Sequence, residues 1–293
     1  MAGWISSRAG PASGFASALA LFLAQPLFAQ AADAAESRLA SAYEAHELED
    51  EYEFGPPPAV RDRPWSIAFW APVNWRSNRA LAGSGRQAGV SMDPEWSLAR
   101  RWGQGRVAFF TEGGLFLSAM LPDAALDTSG WWGTAEVSLD NPAAGLSPYA
   151  AYEPRGIYTH VFGREVVTFH NFTLGVRRNW GATALNLFAR RMQADRAIAD
   201  QYQLAAHAQR NIALGNDLLL NLRADAEWRS FDRHEGDRRR DIRARVRTRL
   251  IVPLDSAVDL ALTADVQRHW STVDRFQFTN IVIGPALSAH LRL

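Results

Sequence analysis

The chain has 293 residues, of which 31 are basic and 31 acidic, and it contains no cysteine. Without disulfides its stability must come from apolar burial and strand pairing. Beyond the first thirty residues no apolar run approaches the length of a membrane-spanning helix, which excludes a helical membrane protein.

Residues 1–31 have the features of a cleaved secretory signal peptide. Arg8 supplies a positive charge, residues 15–23 form a short apolar run, and residues 29–31 read Ala-Gln-Ala. Signal peptidase recognises this small-x-small form, and the apolar run is too short to span a bilayer. We therefore predict an exported protein, whose remaining length suits one large all-β domain.

An acidic leader follows at residues 32–62. Its first part, 32–55, holds eight acidic residues against Arg38 alone, a net charge of −7. Alanine and leucine spacing predicts a short helix near 33–48, which the Gly-Pro-Pro-Pro sequence at 55–58 ends and extends into a stiff spacer. The remainder, 56–293, has 29 arginines against 23 acidic residues, a net charge of +6.

Residues 63–293 contain a series of alternating segments that predict strands. The segment 241–250 shows the pattern well, because its odd positions are Asp or Arg and its even positions are apolar or Thr. Turn residues separate the segments. The twelve predicted strands are 65–75, 88–100, 105–118, 130–140, 146–162, 166–178, 182–192, 200–212, 216–230, 239–252, 256–270 and 278–293.

Three consecutive predicted strands, between 216 and 270, each place their charges on one face and apolar residues on the other. Side chains alternate between the faces of a strand, so this region has one charged and one apolar face. In an outer-membrane barrel the charged face would line the lumen. The residues predicted to line it are Arg223, Asp225, Glu227, Arg229, Arg243, Arg245, Arg247, Arg249, Asp259 and Asp265.

The connections between strands favour the membrane barrel over a soluble sandwich, which alternation alone does not. Predicted connections after strands two, four, six, eight and ten are short, whereas 76–87, 119–129, 193–199, 231–238 and 271–277 are longer; only the connection near 163–165 departs from this rule. Tight periplasmic turns and longer external loops are typical of outer-membrane barrels. An even strand count then places both ends of the barrel on the periplasmic side.

Tryptophans near predicted strand ends agree with this fold, because indole rings prefer the headgroup level of a bilayer. We predict that they form interfacial girdles. They are Trp65, Trp75, Trp96, Trp102, Trp131, Trp132, Trp180, Trp228 and Trp270.

On these features residues 65–293 resemble the outer-membrane β-barrel class as a whole, porin-like channels included. Residues 287–293 look like the C-terminal signal of the class, with apolar residues at alternate positions, although the last is Leu293 and not the usual aromatic. The resemblance implies an all-β, antiparallel, up-and-down transmembrane barrel of about twelve strands. It also implies an outer-membrane location in a Gram-negative bacterium, with membrane lipid and the barrel-assembly machinery as partners.

The leading functional hypothesis is a channel or export pore for polar, chiefly anionic, solutes, with small molecules or saccharides as candidates. The alternative is a structural or assembly-type barrel whose lumen its own ion pairs close. A lipid-active enzyme comes third, because Ser288 and His290 share a strand face but lie on the lumen side, and the His-x-Ser-Asn-Gly-like element of outer-membrane phospholipase is absent. We predict no catalytic residue, cofactor, metal or nucleic-acid partner.

Two further expectations concern charges. Antiparallel pairing across the three charged strands places Glu227 opposite Arg243, Asp225 opposite Arg245, and, on the next pair of strands, Asp259 by Arg249 and Asp265 by Arg243. The acidic leader has two interpretations: a plug that enters the positively charged lumen, or a solvated tail outside it.

Overall fold

The computed structural model describes residues 65–78, 81, 87–104, 106–122, 124–139, 145–196, 199–215, 218–232 and 238–293. The predicted signal peptide and acidic leader lie outside these residues. The strands are β1 (Trp65–Arg76), β2 (Gly89–Met92), β3 (Glu95–Gln104), β4 (Val107–Leu121), β5 (Thr128–Leu139), β6 (Leu146–Thr159), β7 (Glu165–Trp180), β8 (Thr183–Ala194), β9 (Gln201–Gly215), β10 (Leu218–Phe231), β11 (Arg240–Pro253), β12 (Val258–Ser271) and β13 (Phe278–Arg292).

These strands form one closed antiparallel barrel. Each strand from β4 onward pairs with the next along the chain, and β13 returns to pair with β1. Both β2 and β3 pair with β1 on one side and β4 on the other, so they occupy one position in the wall. The barrel therefore has twelve strand positions and one extra strand, which confirms the predicted up-and-down architecture.

The second predicted strand, 88–100, is interrupted at Asp93 and Pro94. Proline has no amide hydrogen to donate, so regular pairing stops there. The Asp93 amide donates to the Pro72 carbonyl at 3.2 Å, and the Leu117 amide donates to the Pro94 carbonyl at 3.0 Å. The chain thus remains in the wall across the break and resumes as β3.

The burial pattern is the reverse of that in a water-soluble domain. On β11, Arg243, Arg245 and Arg247 are buried, whereas Ile242 and Val246 are 54% and 61% exposed. The charged face therefore points inward and the apolar face outward, so the exterior requires lipid. The described part of the chain has no helix with the length and hydropathy of a membrane span. Its 3-10 segments include Ala124–Leu126 and Asp274–Phe276.

The connections at one end of the barrel are mostly shorter than those at the other end. One end, here called the short-turn end, has the joints 105–106, 140–145, 181–182, 216–217 and 254–257. The other, the long-loop end, has 77–88, 122–127, 160–164, 195–200, 232–239 and 272–277. The joint predicted to break the rule, near 163–165, is 160–164; it lies at the long-loop end and has five residues, fewer than 140–145 at the short-turn end.

Glycines allow aromatic rings to lie across neighbouring strands. Gly114 is the register partner of Trp132, and a Cβ added there would lie 2.7 Å from the indole nitrogen. Gly130 is likewise opposite Phe116, and a Cβ added to it would lie 2.4 Å from the phenyl ring. Trp132 is consequently buried, so its predicted place in an interfacial girdle is wrong. Trp131 is half-buried and donates to the Tyr158 hydroxyl at 3.3 Å.

The other predicted girdle tryptophans are exposed on the barrel. They are Trp65, Trp75, Trp96, Trp102, Trp180, Trp228 and Trp270.

Candidate functional site

Adjacent strands β10, β11 and β12 bring the predicted lumen residues together on the inner surface. The register places Asp225 opposite Arg245 and Glu227 opposite Arg243, which confirms both predicted pairs. We call the inward-facing charged residues of these strands the charged wall. It comprises Arg223, Asp225, Glu227, Arg229, Asp241, Arg243, Arg245, Arg247, Arg249, Asp259 and Asp265.

Glu227 is the centre of one ion-pair group in the charged wall. Its carboxylate accepts hydrogen bonds from Arg229 Nη2 at 2.7 Å, from Gln203 Nε2 at 2.8 Å, and from Arg243 Nη2. The residue is 5% exposed, so these bonds replace nearly all of its hydration. Two guanidinium groups therefore share one carboxylate.

Asp265 is the centre of a second group, which also contains two arginines. Its Oδ2 accepts from Arg245 Nε at 2.5 Å and from Arg247 Nε at 3.0 Å. Asp265 is 1% exposed. Here too one carboxylate is shared by two arginines, and Arg245 and Arg247 lie on the same face of β11.

The predicted pairing of β11 with β12 is wrong. Asp265 lies opposite Arg247, not Arg243, and Asp259 lies opposite Pro253, not Arg249. The shift is four residues along β11, from 243 to 247. Because four is an even number, every charged side chain keeps its face, and only the partners change.

The turn between these two strands explains the shift. The turn was predicted at 253–255, but β11 continues to Pro253 and the turn occupies 254–257. The carboxylate of Asp255 accepts hydrogen bonds from the amides of Ala257 at 2.6 Å and Val258 at 2.8 Å. This side-chain turn stabilises the later reversal of the chain.

The remaining predicted residues are only half-buried. Arg223 Nε donates to Asp225 Oδ1 at 2.8 Å. Arg249 lies over the Trp70 ring at 4.6 Å from its centroid, which joins β11 to the inner surface of β1. Asp259 is 3.8 Å from His290 Nδ1, near the short-turn end.

A second inward-facing pair lies on another part of the wall and was not predicted. Arg177 donates to both carboxylate oxygens of Glu136, at 2.6 and 2.7 Å. Its guanidinium also lies 3.9 Å from the Tyr149 ring centroid, and the Tyr149 hydroxyl donates to Asn186 at 3.0 Å. Residues 177 and 178 are both arginine, so alternation did not indicate which of them faces the lumen.

A buried carboxylate at the long-loop end was also missed. Asp93 accepts hydrogen bonds from Arg76 Nη2 at 2.7 Å and from the hydroxyls of Ser91 and Ser118, each at 2.6 Å. The Asp-Pro sequence at 93–94 indicated only a chain break. Nothing local in the sequence predicted that this side chain would join three elements of the wall.

Arg239, just before β11, was likewise not predicted. It donates to Asp241 through Nε at 3.1 Å and Nη2 at 2.5 Å. Its guanidinium lies 3.5 Å from the ring centroid of Phe276, in the connection 272–277, and 4.2 Å from that of Phe231. A long loop therefore packs directly on the charged wall.

Ser288 and His290 lie near Asp259 on the inner face of the last two strands. Asp259 is the register partner of Ser288, but its 3.8 Å separation from His290 exceeds a hydrogen bond. Among the residues that the structure describes, no three His, Cys, Asp or Glu side chains are grouped so that they could hold a metal ion.

Comparison with solved structures gives relatives of the fold. An outer-membrane channel from Pseudomonas putida F1 superposes with a TM-score of 0.54 at 13% identity, over 83% of this chain and 98% of that chain. The KdgM porin in complex with disordered oligogalacturonate superposes with a TM-score of 0.45 at 11% identity, over 76% of this chain and 98% of that chain. The anion-selective porin from Comamonas acidovorans superposes with a TM-score of 0.42 at 9% identity, over 78% of this chain and 98% of that chain.

No protein-family model and no curated protein sequence matches the chain. The similarity to the Pseudomonas channel, together with the apolar exterior, shows the fold of an outer-membrane β-barrel.

Proposed function

We propose that this outer-membrane barrel is a passive channel or export pore for polar solutes and that its charged wall gives it a preference for anions. The observation that carries the proposal is the sharing of Glu227 and of Asp265 by two arginines each. Counted over the whole charged wall, six arginines stand against five acidic residues, so the wall carries one excess positive charge. An anion near these groups is attracted, whereas a cation is repelled.

The chemistry of the wall also suits polar organic solutes. Guanidinium groups donate several hydrogen bonds in one plane, which matches carboxylate and phosphate oxygens and also serves hydroxyl groups. Aromatic rings lie beside several inward arginines, as Trp70 does beside Arg249 and Tyr149 beside Arg177. Small anions and acidic or neutral saccharides are therefore the proposed solute classes.

The decisive experiment measures single-channel conductance and reversal potential in planar bilayers under a KCl gradient. We expect discrete current steps and a permeability ratio that favours chloride. Arg247→Gln should lower this ratio by about threefold or more, because a unit charge about 7 Å from an ion in water contributes about 0.6 kcal/mol. Asp265 keeps Arg245 as a partner in this variant, so its carboxylate stays hydrogen-bonded.

Arg240→Gln is the matched control, since Arg240 is exposed, begins the same strand and carries the same charge. Its permeability ratio should equal that of the parent. A parent channel that prefers potassium, or an Arg240 variant that loses as much selectivity as the Arg247 variant, would contradict the proposed role of the charged wall.

A structural or assembly-type barrel with a closed lumen is the second candidate. The burial of Glu227 and Asp265 among their arginines favours it, because such groups leave little room for water. Complete absence of current steps from correctly folded protein would support this candidate over the channel.

A further inference from the structure

We propose that the outer surface of the barrel at the short-turn end binds the phosphate groups of glycerophospholipids, with Arg100 as the main contact. This surface is separate from the lumen, and the proposal does not depend on whether the lumen conducts. Three features of Arg100 carry it: its position on the lipid-facing side, its aromatic neighbours, and its lack of a carboxylate partner among the described residues.

Arg100 lies on the outer surface of β3 between two indole rings. Its Cζ is 4.9 Å from the ring centroid of Trp65, its register partner on β1, and 5.4 Å from that of Trp102. Trp102 in turn stacks on Phe109 of β4 with ring centroids 6.0 Å apart. Arg100 and these three aromatic residues are all exposed, so the side chain is held in place on a surface that faces the membrane.

The positive charge of Arg100 has no protein counter-ion in the described part of the chain. Its partner on the other side, on β4, is Thr111, which carries no charge. The outward neighbour Leu98 is apolar and exposed. A guanidinium next to hydrocarbon is costly unless an anion or water satisfies it, so the site favours an anionic group from the membrane itself.

The opposite end of the barrel shows the contrasting arrangement. Arg191, on the outer face of β8 near the long-loop end, donates to Asp232 at 2.6 Å and is 3.8 Å from Asp200. Its ring contact with Tyr202 resembles that of Arg100 with tryptophan, at 4.3 Å. Arg191 thus has aspartate partners within the protein, whereas no described residue forms an ion pair with Arg100.

The depth and geometry of Arg100 fit a phosphate. Trp65 is the first residue of β1, and Trp102 lies two residues before the end of β3, so both rings are at the edge of the spanning region. Indole rings at such positions mark the headgroup level, where lipid phosphates also lie. A guanidinium has five N–H donors in a planar fork, so a contact with aromatic rings leaves N–H groups that can donate to phosphate oxygens in a two-bond arrangement.

Two further arginines extend the surface around the same end. Arg178 lies on the outside of β7 with its Cζ 5.6 Å from the Trp180 ring centroid, and Arg210 lies on the outside of β9. Both are exposed, and neither makes an ion pair with a described residue. Their register partners include Leu185 and Leu222, which are apolar. The end therefore carries several lipid-facing positive charges that make no ion pair with a described residue.

Glycerophospholipid is the chosen occupant because an even number of strand positions and short turns predict that this end lies on the periplasmic side. The inner leaflet there consists of phospholipid. The phosphates of a glycolipid are chemically similar, and the experiment therefore includes both.

The test uses native mass spectrometry of the folded full-length protein in detergent, titrated with phosphatidylglycerol or with a diphosphorylated glycolipid. We expect the parent to retain phosphatidylglycerol. Arg100→Gln should weaken the strongest binding step by about tenfold or more, because it removes charge-assisted hydrogen bonds. Arg240→Gln, an exposed outer arginine of the long-loop end, should bind phosphatidylglycerol like the parent. Unchanged mobility of unheated Arg100→Gln protein in gels would show that the barrel is folded.

Equal lipid retention by the parent and the Arg100 variant would overturn the proposal. An equal loss in the Arg240 variant would overturn it as well, since binding would then follow net charge. Preference of the parent for the glycolipid over phosphatidylglycerol would overturn the assignment to glycerophospholipid.

Discussion

Individual carboxylates organise the interior of this barrel. Glu227 and Asp265 lie almost fully buried on neighbouring parts of the wall, and each accepts hydrogen bonds from two arginines. Removing a charge from water is costly, so such residues are stable only while their partners remain in place. The proposed preference for anions depends on the same arginines that satisfy the carboxylates.

At the residue scale we predict that Glu227→Arg lowers the heat stability of the folded barrel. The variant removes the acceptor of Arg229, Arg243 and Gln203 and introduces a third positive charge beside the two arginines. Breaking a buried pair in this way costs about 3–5 kcal/mol. The measurement is the temperature at which the compact gel mobility of unheated protein is lost.

Glu227→Gln is the control that removes the charge while keeping the shape. It should fall between the parent and Glu227→Arg in stability, because the amide oxygen still accepts hydrogen bonds. If Glu227→Arg and the parent lost their folded gel mobility at the same temperature, water in a wide lumen would already screen these residues. The ion-pair network would then contribute little to stability.

At the scale of strands and connections, the two ends of the barrel differ in the length of their connections. This difference predicts the orientation of the barrel in the membrane. We expect the long connections, including 77–88, 122–127 and 232–239, to face the outside of the cell and the joints 140–145 and 254–257 to face the periplasm. An epitope inserted beside Glu235 should therefore be labelled by antibody on intact cells.

The same epitope placed in the joint 254–257 is the matched control and should be labelled only after the outer membrane is permeabilised. The reverse pattern of labelling would show that the barrel has the opposite orientation. It would also move the Arg100 surface to the outer leaflet, which links this experiment to the choice of lipid.

For the whole molecule, the opposite net charges of the leader and the barrel motivate a plug hypothesis. Residues 32–55 carry −7 and residues 56–293 carry +6. If the leader enters the lumen, deletion of residues 32–55 should raise conductance or shift selectivity further toward anions. The spacer is short, so the local concentration of the acidic segment near the barrel mouth would be high.

A full-length variant with the eight acidic residues of 32–55 changed to their amides separates charge from length. It should behave like the deletion if electrostatic attraction holds the plug. Current traces identical among the parent, the deletion and the amide variant would leave the leader outside the lumen as a solvated tail.

The amino-acid sequence by itself determined the alternation of the strands and most of their bounds. The predicted strand 239–252 corresponds to β11 at Arg240–Pro253. The prediction that Glu227 lies opposite Arg243 is also correct. A period of two is a local property, since each side chain points opposite to its neighbour. Residue types along a strand therefore suffice to separate its two faces.

Only the tertiary structure decided which partners meet across strands. The register pairs Asp265 with Arg247 and not with the predicted Arg243, because the turn that Asp255 stabilises reverses the chain later than predicted. It also buried Asp93 among residues of three different strands. These contacts depend on turn hydrogen bonds and on closure of the whole sheet, which connect residues distant in sequence, and a local pattern carries no information about them.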